Sequence, residues 1–596
     1  MTIKEKIGQK IMLDFRYWQE GNQANVKQDM VQLTATIKSI IKDNHIGGII
    51  LFANNLKNQR QIQKLADDLR ELTPVGGIPL FIATDNEGGS VFRLPRGEFC
   101  SFPGNMALSA AVAGTGNKKL AYRQASVISR DLLALGINTN FAPVMDVNSN
   151  QDNPVINIRS FGDCPARVSQ LAKETLAGMR SKNMVSVAKH FPGHGDTKTD
   201  SHVALPRVDK NRDDAHAIDL APYRDAIAAG EAPDMIMTAH IQYPALDDSV
   251  MKNLRGDNII RPATLSKKIQ TDLLRGELGY QGVTITDALD MKAITDNFDI
   301  HVVMEEVFKA GVDIALMPIR IYRPEDTPKL EKMIDKLAEK ITAKAIDANA
   351  VSASVQRILD LKRERNIMTA FPRPVYSNMT LSYALEKEIA DNSITLLKNA
   401  AKLIPLKDKA QSIYILMPWR EQSAAIHYTL HSNGYSSIKH GNFSDTNWCL
   451  QQACILKCDV LIIGNMSGGA SSGEAPELAG PGAYDAGAVR RAIVFAKTQV
   501  KTKERKVIFL SLKSPYDVVN FDAAADAVLA TYSFYGFDHI ARRGRSLNAT
   551  ADVIIGNVPP RGKLPVDINN LHSRGYTATP RYPRGFGLTL NYPAQP

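Results

Sequence analysis

Short apolar segments recur through residues 46–317 of this chain, and helical stretches separate them. Strand, helix and strand alternate at intervals of roughly 30–50 residues, which predicts βα units and a parallel sheet. Nearly every residue of each segment is apolar, as is typical of strands that are covered on both faces. The predicted strands span residues 46–52, 79–85, 139–146, 185–191, 235–240, 282–287 and 313–317.

Polar residues stand where these strands end. Each of five predicted strands has one at or just past its carboxyl end, namely Asp85, Asp146, His190, His240 and Asp287. A (β/α)8 barrel brings all such ends to one mouth, where its active site is built. A doubly wound sheet is the alternative, but it would not gather so many strand ends at one site. We therefore predict a (β/α)8 barrel, whose eighth strand is inferred from the architecture.

The chain of 596 residues is too long for one hydrophobic core, and a second α/β pattern follows the first. We predict a barrel domain over residues 1–367 and a second α/β domain over 386–596. The linker between them is predicted at 368–385, where Pro372 and Pro374 interrupt the helical pattern. The predicted strands of the second domain span 393–397, 413–417, 460–464, 506–512 and 527–532.

Composition excludes several classes of function. The net charge of +10 is spread along the chain without a long block of Lys and Arg, which argues against a nucleic-acid-binding protein. Five cysteines in so long a chain do not make a disulfide framework. The N-terminus has no apolar signal core, and no 18-residue apolar run occurs. We expect a soluble cytoplasmic protein without a membrane span, with a removed export signal as the open alternative.

Titratable side chains are densest in residues 189–202, which read KHFPGHGDTKTDSH. Asp200 and His202 are two positions apart, so both side chains point to the same side of an extended loop. Asp200 can then accept a hydrogen bond from one imidazole nitrogen, and the other nitrogen stays available for proton transfer. Asp287, fixed at the end of a buried strand, is well placed to act as a nucleophile. The spacing therefore favours an Asp–His acid/base pair working with a carboxylate.

Two further readings concern the same mouth. The loop contains ligand types that zinc accepts, but it lacks HExxH or a comparable spacing, so we predict no metal and no cofactor. A separate group of polar residues can hold hydroxyl groups or an amide carbonyl. This group comprises Asp85, Arg93, Arg159, Lys189 and His190.

These motifs resemble family 3 glycoside hydrolases, most closely the two-domain bacterial β-N-acetylglucosaminidase (NagZ-like) branch. The segments that carry the resemblance include residues 189–197 with 200–202, 84–89, 157–162 and 286–289. The resemblance implies a TIM-type barrel followed by an α/β sandwich domain. The chain departs from the branch at Asn86, where glutamine is common, and at Ser90, where the shorter enzymes carry arginine. We expect Ser90 to alter the mouth of the pocket.

The resemblance also implies roles for individual residues. Asp287 matches the nucleophile, His202 the acid/base and Asp200 its dyad partner, whereas the second polar group matches the residues that hold a terminal GlcNAc. The implied activity is that of a retaining exo-β-N-acetylglucosaminidase. Its substrates would be GlcNAc-containing saccharides, either muropeptides from peptidoglycan recycling or chitooligosaccharides.

Three alternatives stay open. A family 3 β-glucosidase would take its acid/base carboxylate from the second domain, where Glu474 or Glu477 lies in a Gly/Ser-rich segment. A phosphorylase is the second alternative, because a histidine base is neutral and repels phosphate less than a carboxylate does. The third is a non-catalytic cell-wall-binding protein, although such a protein would usually have lost one of the catalytic groups.

Overall fold

The computed structural model describes residues 1–20, 27–73, 77–369, 379–444, 447–467, 486–498, 504–572 and 575–590. Eight parallel strands form the first sheet, in the order β7-β6-β5-β4-β3-β2-β1-β8. A bridge between Ile285 and Ile314 joins its two ends, so the sheet closes into a barrel. The strands are β1 Ile11–Asp14, β2 Gly48–Leu51, β3 Phe81–Thr84, β4 Thr139–Asn140, β5 Val185–Phe191, β6 Met235–Thr238, β7 Val283–Thr286 and β8 Ala315–Leu316.

The barrel prediction is confirmed, and the strand that the sequence pattern did not reveal is β1. It has four residues and directly follows the helix Ile3–Gln9, so its apolar positions read as a continuation of that helix. Strand β4 is shorter than predicted because Pro143 has no N–H to donate to a ladder. The chain beyond it stays beside β5, where Val144 forms a bridge to Lys189.

Apolar side chains fill the inside of the barrel and the layer between strands and helices. Met12, Phe81, Val187, Met237 and Ile285 belong to the buried cluster inside the barrel. The helices of this domain are Ile3–Gln9, Ala35–Asp43, Gln59–Arg70, Asn105–Thr115, Lys119–Ala134, Pro165–Arg180, Arg212–Asp214, Ala221–Ala228, Lys292–Thr295, Ile300–Ala310, Thr327–Thr342 and Ala348–Glu364, with π-helical turns at Ala215–Asp219 and Lys268–Glu277. Within the described ranges, no helix has the length and apolar character needed to cross a bilayer.

The second sheet has six strands in the order β9-β14-β13-β12-β10-β11. Only β9 runs antiparallel to its neighbour, and the other pairings are parallel. The five predicted strands are present, and the added edge strand β11 was missed because its sequence, IKHGN, is largely polar. The strands are β9 Thr395–Asn399, β10 Ile413–Met417, β11 Ile438–Asn442, β12 Val460–Asn465, β13 Lys506–Ser511 and β14 Ala527–Ala530.

Helices of the second domain cover this sheet and join it to the barrel. They are Met379–Ser393, Arg420–Ser432, Trp448–Lys457, Ala486–Thr498 and Ser546–Ile555. Residues 370–378 of the predicted linker lie outside the described residues, and 379–385 form the first turns of the helix Met379–Ser393. That helix packs on the barrel helix Asn105–Thr115, so the two domains share an extensive contact.

Asp313 joins the two ends of the barrel to its last helix. Its carboxylate accepts hydrogen bonds from Thr284 N at 2.8 Å, from Arg275 Nη2 at 2.7 Å and from Arg357 Nη2 at 2.6 Å. Burial alone would raise the pKa of Asp313, but Arg275 and Arg357 outweigh it and lower the pKa. The carboxylate therefore stabilises the folded chain while it is ionised.

We predict that Asp313→Asn destabilises the protein by about 3–5 kcal/mol, because it leaves two partly buried arginines without their anion. The melting temperature would measure this loss, with Asp360→Asn as the matched control. Asp360 is 49% exposed and pairs with Arg363 on the surface, so its loss should cost less than about 0.5 kcal/mol. Since the pKa of Asp313 is lower in the folded state, the difference from wild type should shrink as the pH falls below about 4. Equal melting temperatures for both variants would contradict this role.

Candidate active site

The carboxyl ends of the barrel strands open on one cavity of about 350 Å³. Seven of the eight residues predicted for the site line it, namely Asp85, Arg93, Arg159, Lys189, His190, His202 and Asp287. The eighth, Asp200, is hydrogen-bonded to His202. The structure therefore brings the predicted residues to one place, although they come from five separate parts of the barrel sequence.

Asp287 follows β7 and faces the cavity. Its N–H donates to Thr238 O at 3.0 Å, and its Oδ1 accepts from Ala288 N at 2.8 Å. Burial alone would raise the pKa of Asp287, but its interaction with His190 and the hydrogen bond from Ala288 N help to outweigh it, and the pKa is lowered. The group is therefore an ionised carboxylate, as a nucleophile must be.

His240 holds the peptide that follows Asp287. Its ring is fully buried, with Nδ1 2.9 Å from Thr264 Oγ1 and Nε2 3.0 Å from Ala288 O. A carbonyl oxygen can only accept, so Nε2 carries a proton. Burial lowers the pKa of His240, which keeps the ring neutral. Both nitrogens are engaged, so His240 fixes the peptide next to Asp287 and has no nitrogen left for proton transfer.

Asp200 and His202 form the expected pair. Asp200 Oδ1 lies 2.8 Å from His202 Nδ1 and also accepts from the His202 backbone N–H at 2.8 Å. Burial alone would raise the pKa of Asp200, but the hydrogen bonds of His202 lower it below the ordinary value. Within the described part of the chain, His202 Nε2 has no hydrogen-bond partner, so it is the nitrogen available to a substrate.

The loop between β5 and this pair lies tightly against the chain after β4. A Cβ atom on Gly195 would lie only 1.8 Å from Val147 O, so no other residue fits there without moving the backbone. This close approach explains one glycine of the PGHG sequence. It also keeps the loop over the cavity.

A buried ionic network lines part of the cavity. Lys189 Nζ lies 2.7 Å from Asp85 Oδ1 and 2.7 Å from Glu87 Oε1. Arg159 donates from Nε and Nη2 to the two oxygens of Glu87 at 3.0 and 2.8 Å, and Arg93 lies 3.8 Å from Asp85. Burial alone would raise the pKa of Glu87, but Arg159 and Lys189 lower it far more.

Glu87 is the functional residue that the sequence reasoning missed. It stands in the quoted segment 84–89, yet only the fold shows that its side chain is 2% exposed and joins Lys189 to Arg159.

Asp146 was placed at a strand end without a role. Its Oδ2 lies 2.7 Å from His190 Nδ1, and its Oδ1 accepts from His194 N at 2.7 Å.

The mouth of the cavity carries residues that no motif indicated. Among them, Arg320 pairs with Asp290 at 2.7 Å, and the Arg16 guanidinium lies 3.6 Å from the centre of the Phe52 ring. Lys292 also lies at this mouth. Ser90 is only 3% exposed and does not line the cavity, in contrast to the expectation that it alters the mouth.

The β-glucosidase alternative and the metal-site interpretation depend on other residues. Glu474 and Glu477, the acid/base candidates of the β-glucosidase alternative, lie outside the described residues. In the part of the chain that the structure describes, no three His, Cys, Asp or Glu side chains are arranged as metal ligands.

Comparison with known proteins agrees with this architecture. The models of the glycosyl hydrolase family 3 N terminal domain and C-terminal domain match residues 2–361 and 394–590. The chain belongs to glycoside hydrolase family 3. It is an enzyme of the β-hexosaminidase branch of that family.

Individual relatives are similar over different lengths. A β-hexosaminidase A of Pseudoalteromonas piscicida is 39% identical over 588 residues, which cover 96% of this chain and 98% of that protein. A β-hexosaminidase of Idiomarina loihiensis is 33% identical over 286 residues, covering 48% of this chain and 80% of that protein. The solved structure of a family 3 β-N-acetylglucosaminidase from Paenibacillus sp. has a TM-score of 0.77 and 29% identity, and the match covers 95% of this chain and 99% of that one.

We predict that Glu87→Gln lowers kcat/KM by about 10–100-fold, because a neutral amide cannot hold both Lys189 and Arg159 in place. Initial rates on an aryl β-N-acetylglucosaminide would measure this effect. Glu504→Gln is the matched control, since Glu504 is 66% exposed and pairs only with Lys506 among the described residues. Equal kcat/KM values for wild type and Glu87→Gln would show that the network does not shape the site.

Proposed function

We propose that the protein is a retaining exo-β-N-acetylglucosaminidase that works through a glycosyl-enzyme intermediate. The observation that carries this proposal is the placement of an ionised carboxylate, Asp287, and the Asp200-supported His202 on one cavity. Nucleophile and acid/base are the two groups that a retaining glycosidase needs. Most such enzymes use two carboxylates, whereas here a histidine takes the acid/base role.

In the first step, an Asp287 carboxylate oxygen attacks the anomeric carbon. The bond between that carbon and the glycosidic oxygen breaks, and the leaving oxygen takes the proton from His202 Nε2. Asp200 accepts the Nδ1–H of His202, which holds the ring in the required orientation and stabilises its protonated form. A covalent glycosyl-Asp287 ester results.

In the second step, neutral His202 removes a proton from water through Nε2. The hydroxide oxygen attacks the anomeric carbon, and the carboxylate of Asp287 leaves. Two inversions at one carbon give the product with retained β configuration. His202 ends the cycle protonated, ready for the next substrate.

The ionic network supports recognition of a terminal sugar. Asp85 can accept from vicinal hydroxyl groups, whereas Arg93, Arg159, Lys189 and His190 offer donors to hydroxyl and acetamido oxygens. Because Glu87 and Asp85 hold Arg93, Arg159 and Lys189 before any substrate arrives, little ordering is left for the binding step. The similarity to β-hexosaminidases supports a GlcNAc unit in this pocket. We propose muropeptides or chitooligosaccharides with terminal non-reducing GlcNAc as substrates.

We predict that wild type cleaves 4-nitrophenyl β-N-acetylglucosaminide faster than the β-glucoside, and that Asp287→Asn removes the activity. His202→Ala should lose about 100-fold or more on chitobiose, whose leaving group needs a proton, and less on the nitrophenyl substrate. His539→Ala is the matched control, because this exposed histidine lies in the second domain. Initial rates and the configuration of the first product, read by NMR, would measure these effects.

Other results would favour other activities. Preference for the glucoside, with His202→Ala fully active, would indicate that the acid/base residue lies in the second domain. Formation of GlcNAc-1-phosphate in phosphate buffer would show that phosphate, in place of water, attacks the glycosyl-enzyme in the second step. Binding of the saccharide without cleavage of any substrate would identify a non-catalytic binding protein.

A further inference from the structure

His194 lies at the centre of the loop that carries the dyad, and the proposed mechanism gives it no role. Its side chain is 1% exposed and borders the cavity. Its Nδ1 lies 2.8 Å from Thr197 Oγ1, and its Nε2 lies 3.1 Å from Ser201 Oγ. Ser201 stands between Asp200 and His202 in the chain. One ring therefore joins the beginning of the loop to the residue between the two members of the dyad.

The hydrogen bonds around Thr197 determine which nitrogen of His194 carries the proton. The Thr197 hydroxyl donates to His194 O at 3.1 Å and accepts from Asn153 Nδ2 at 3.3 Å. Since its single proton is used, Thr197 Oγ1 accepts from His194 Nδ1–H. Nε2 of the neutral ring then has only a lone pair, which accepts the Ser201 hydroxyl proton.

Burial, together with the nearby His190, lowers the pKa of His194 to about 4. The ring is therefore neutral near pH 7. Both of its nitrogens are engaged with hydroxyl groups of the loop. A neutral, doubly hydrogen-bonded ring cannot exchange protons with a substrate, but it can hold a loop in place.

Ser201 is held from a second side by the chain that follows the nucleophile. Its carbonyl oxygen accepts from Ala293 N at 3.2 Å, and Ala293 lies in the helix Lys292–Thr295 after Asp287. The side chain of Ser201 is thus fixed by His194 and its backbone by the segment after β7. This double attachment sets the position of His202 relative to Asp287.

We propose that His194 is a positioning residue, which through Ser201 holds the Asp200–His202 pair over the cavity at the distance that proton transfer requires. The proposal rests on the proposed function, because it assumes that His202 is the acid/base. A small displacement of a catalytic group can cost about 100-fold in rate. The contact between His194 and Ser201 should therefore matter most where catalysis depends on His202.

Two substitutions of His194 separate its two hydrogen bonds. His194→Gln can place its amide oxygen near the position of Nε2 and so keep an acceptor for Ser201. His194→Asn is shorter and can keep a donor toward Thr197, but it cannot reach Ser201. Ser201→Ala removes the same contact with a smaller change, in case a substitution at His194 prevents folding. The melting temperature of each variant checks that the chain is folded.

The test compares activity on two substrates, chitobiose and an activated aryl glycoside, and measures turnover of the aryl glycoside with and without azide. We expect His194→Asn to lose about 100-fold in kcat/KM on chitobiose and Ser201→Ala about tenfold, with smaller losses on 2,4-dinitrophenyl β-N-acetylglucosaminide. His194→Gln should retain more activity than His194→Asn. Azide needs no base to attack the glycosyl-enzyme, forming a C–N bond as the Asp287 carboxylate leaves. It should therefore raise turnover of His194→Asn and of His202→Ala on the dinitrophenyl substrate, with β-glycosyl azide as product.

Equal losses on both substrates, without azide rescue in folded His194→Asn and Ser201→Ala, would overturn the positioning role. So would a greater loss for His194→Gln than for His194→Asn. Failure of the proposed function looks different. In that case wild type would not cleave these substrates, or His202→Ala itself would show neither dependence on the leaving group nor rescue by azide.

Discussion

One buried carboxylate, Asp146, fixes the loop on which the candidate site depends. Its Oδ2 meets both the backbone N–H and the ring Nδ1 of His190, and its Oδ1 accepts from His194 N. Burial alone would raise the pKa of Asp146, but these partners lower it, so the carboxylate stays ionised. The turn after β5 is thereby attached to the chain after β4. His190 and His194, which both line the cavity, take their positions from the same side chain.

The rest of the cavity follows the same principle of buried charges held by several partners. A carboxylate removed from water is costly unless it is paired and hydrogen-bonded. Glu87 meets this condition with Lys189 and Arg159, and Asp287 meets it with the surrounding histidines and Ala288 N. Folding provides the free energy that brings these charges together, so they are in place before a substrate binds. The charges around the cavity are therefore arranged before a substrate binds, which is the condition under which electrostatic stabilisation is largest.

The sequence predicted more of the barrel and its mouth than of the supports behind them. Seven strands could be predicted because they are nearly all apolar. Asp287 could be predicted because it ends one of them, and His202 because it stands in a dense, specific motif. β1 was missed because three apolar residues and an aspartate directly after a helix carry no signal of their own. The place of Glu87 in the ionic network was missed for a different reason. Its importance lies in two partners that are 72 and 102 positions away along the chain, and only the fold brings them together.

The second domain contacts the segment of the barrel that carries Asp146 and Arg159. Asn148, two residues after Asp146, donates to Tyr516 Oη at 2.8 Å across the domain contact. A Cβ on Gly162 would lie 2.3 Å from Pro565 O, so the two backbones meet directly behind Arg159. Arg159 therefore faces the cavity from a segment that is attached to the barrel on one side and to the second domain on the other. Within the described residues, the second domain supports the site by fixing this segment, and the dyad itself is held entirely by barrel residues.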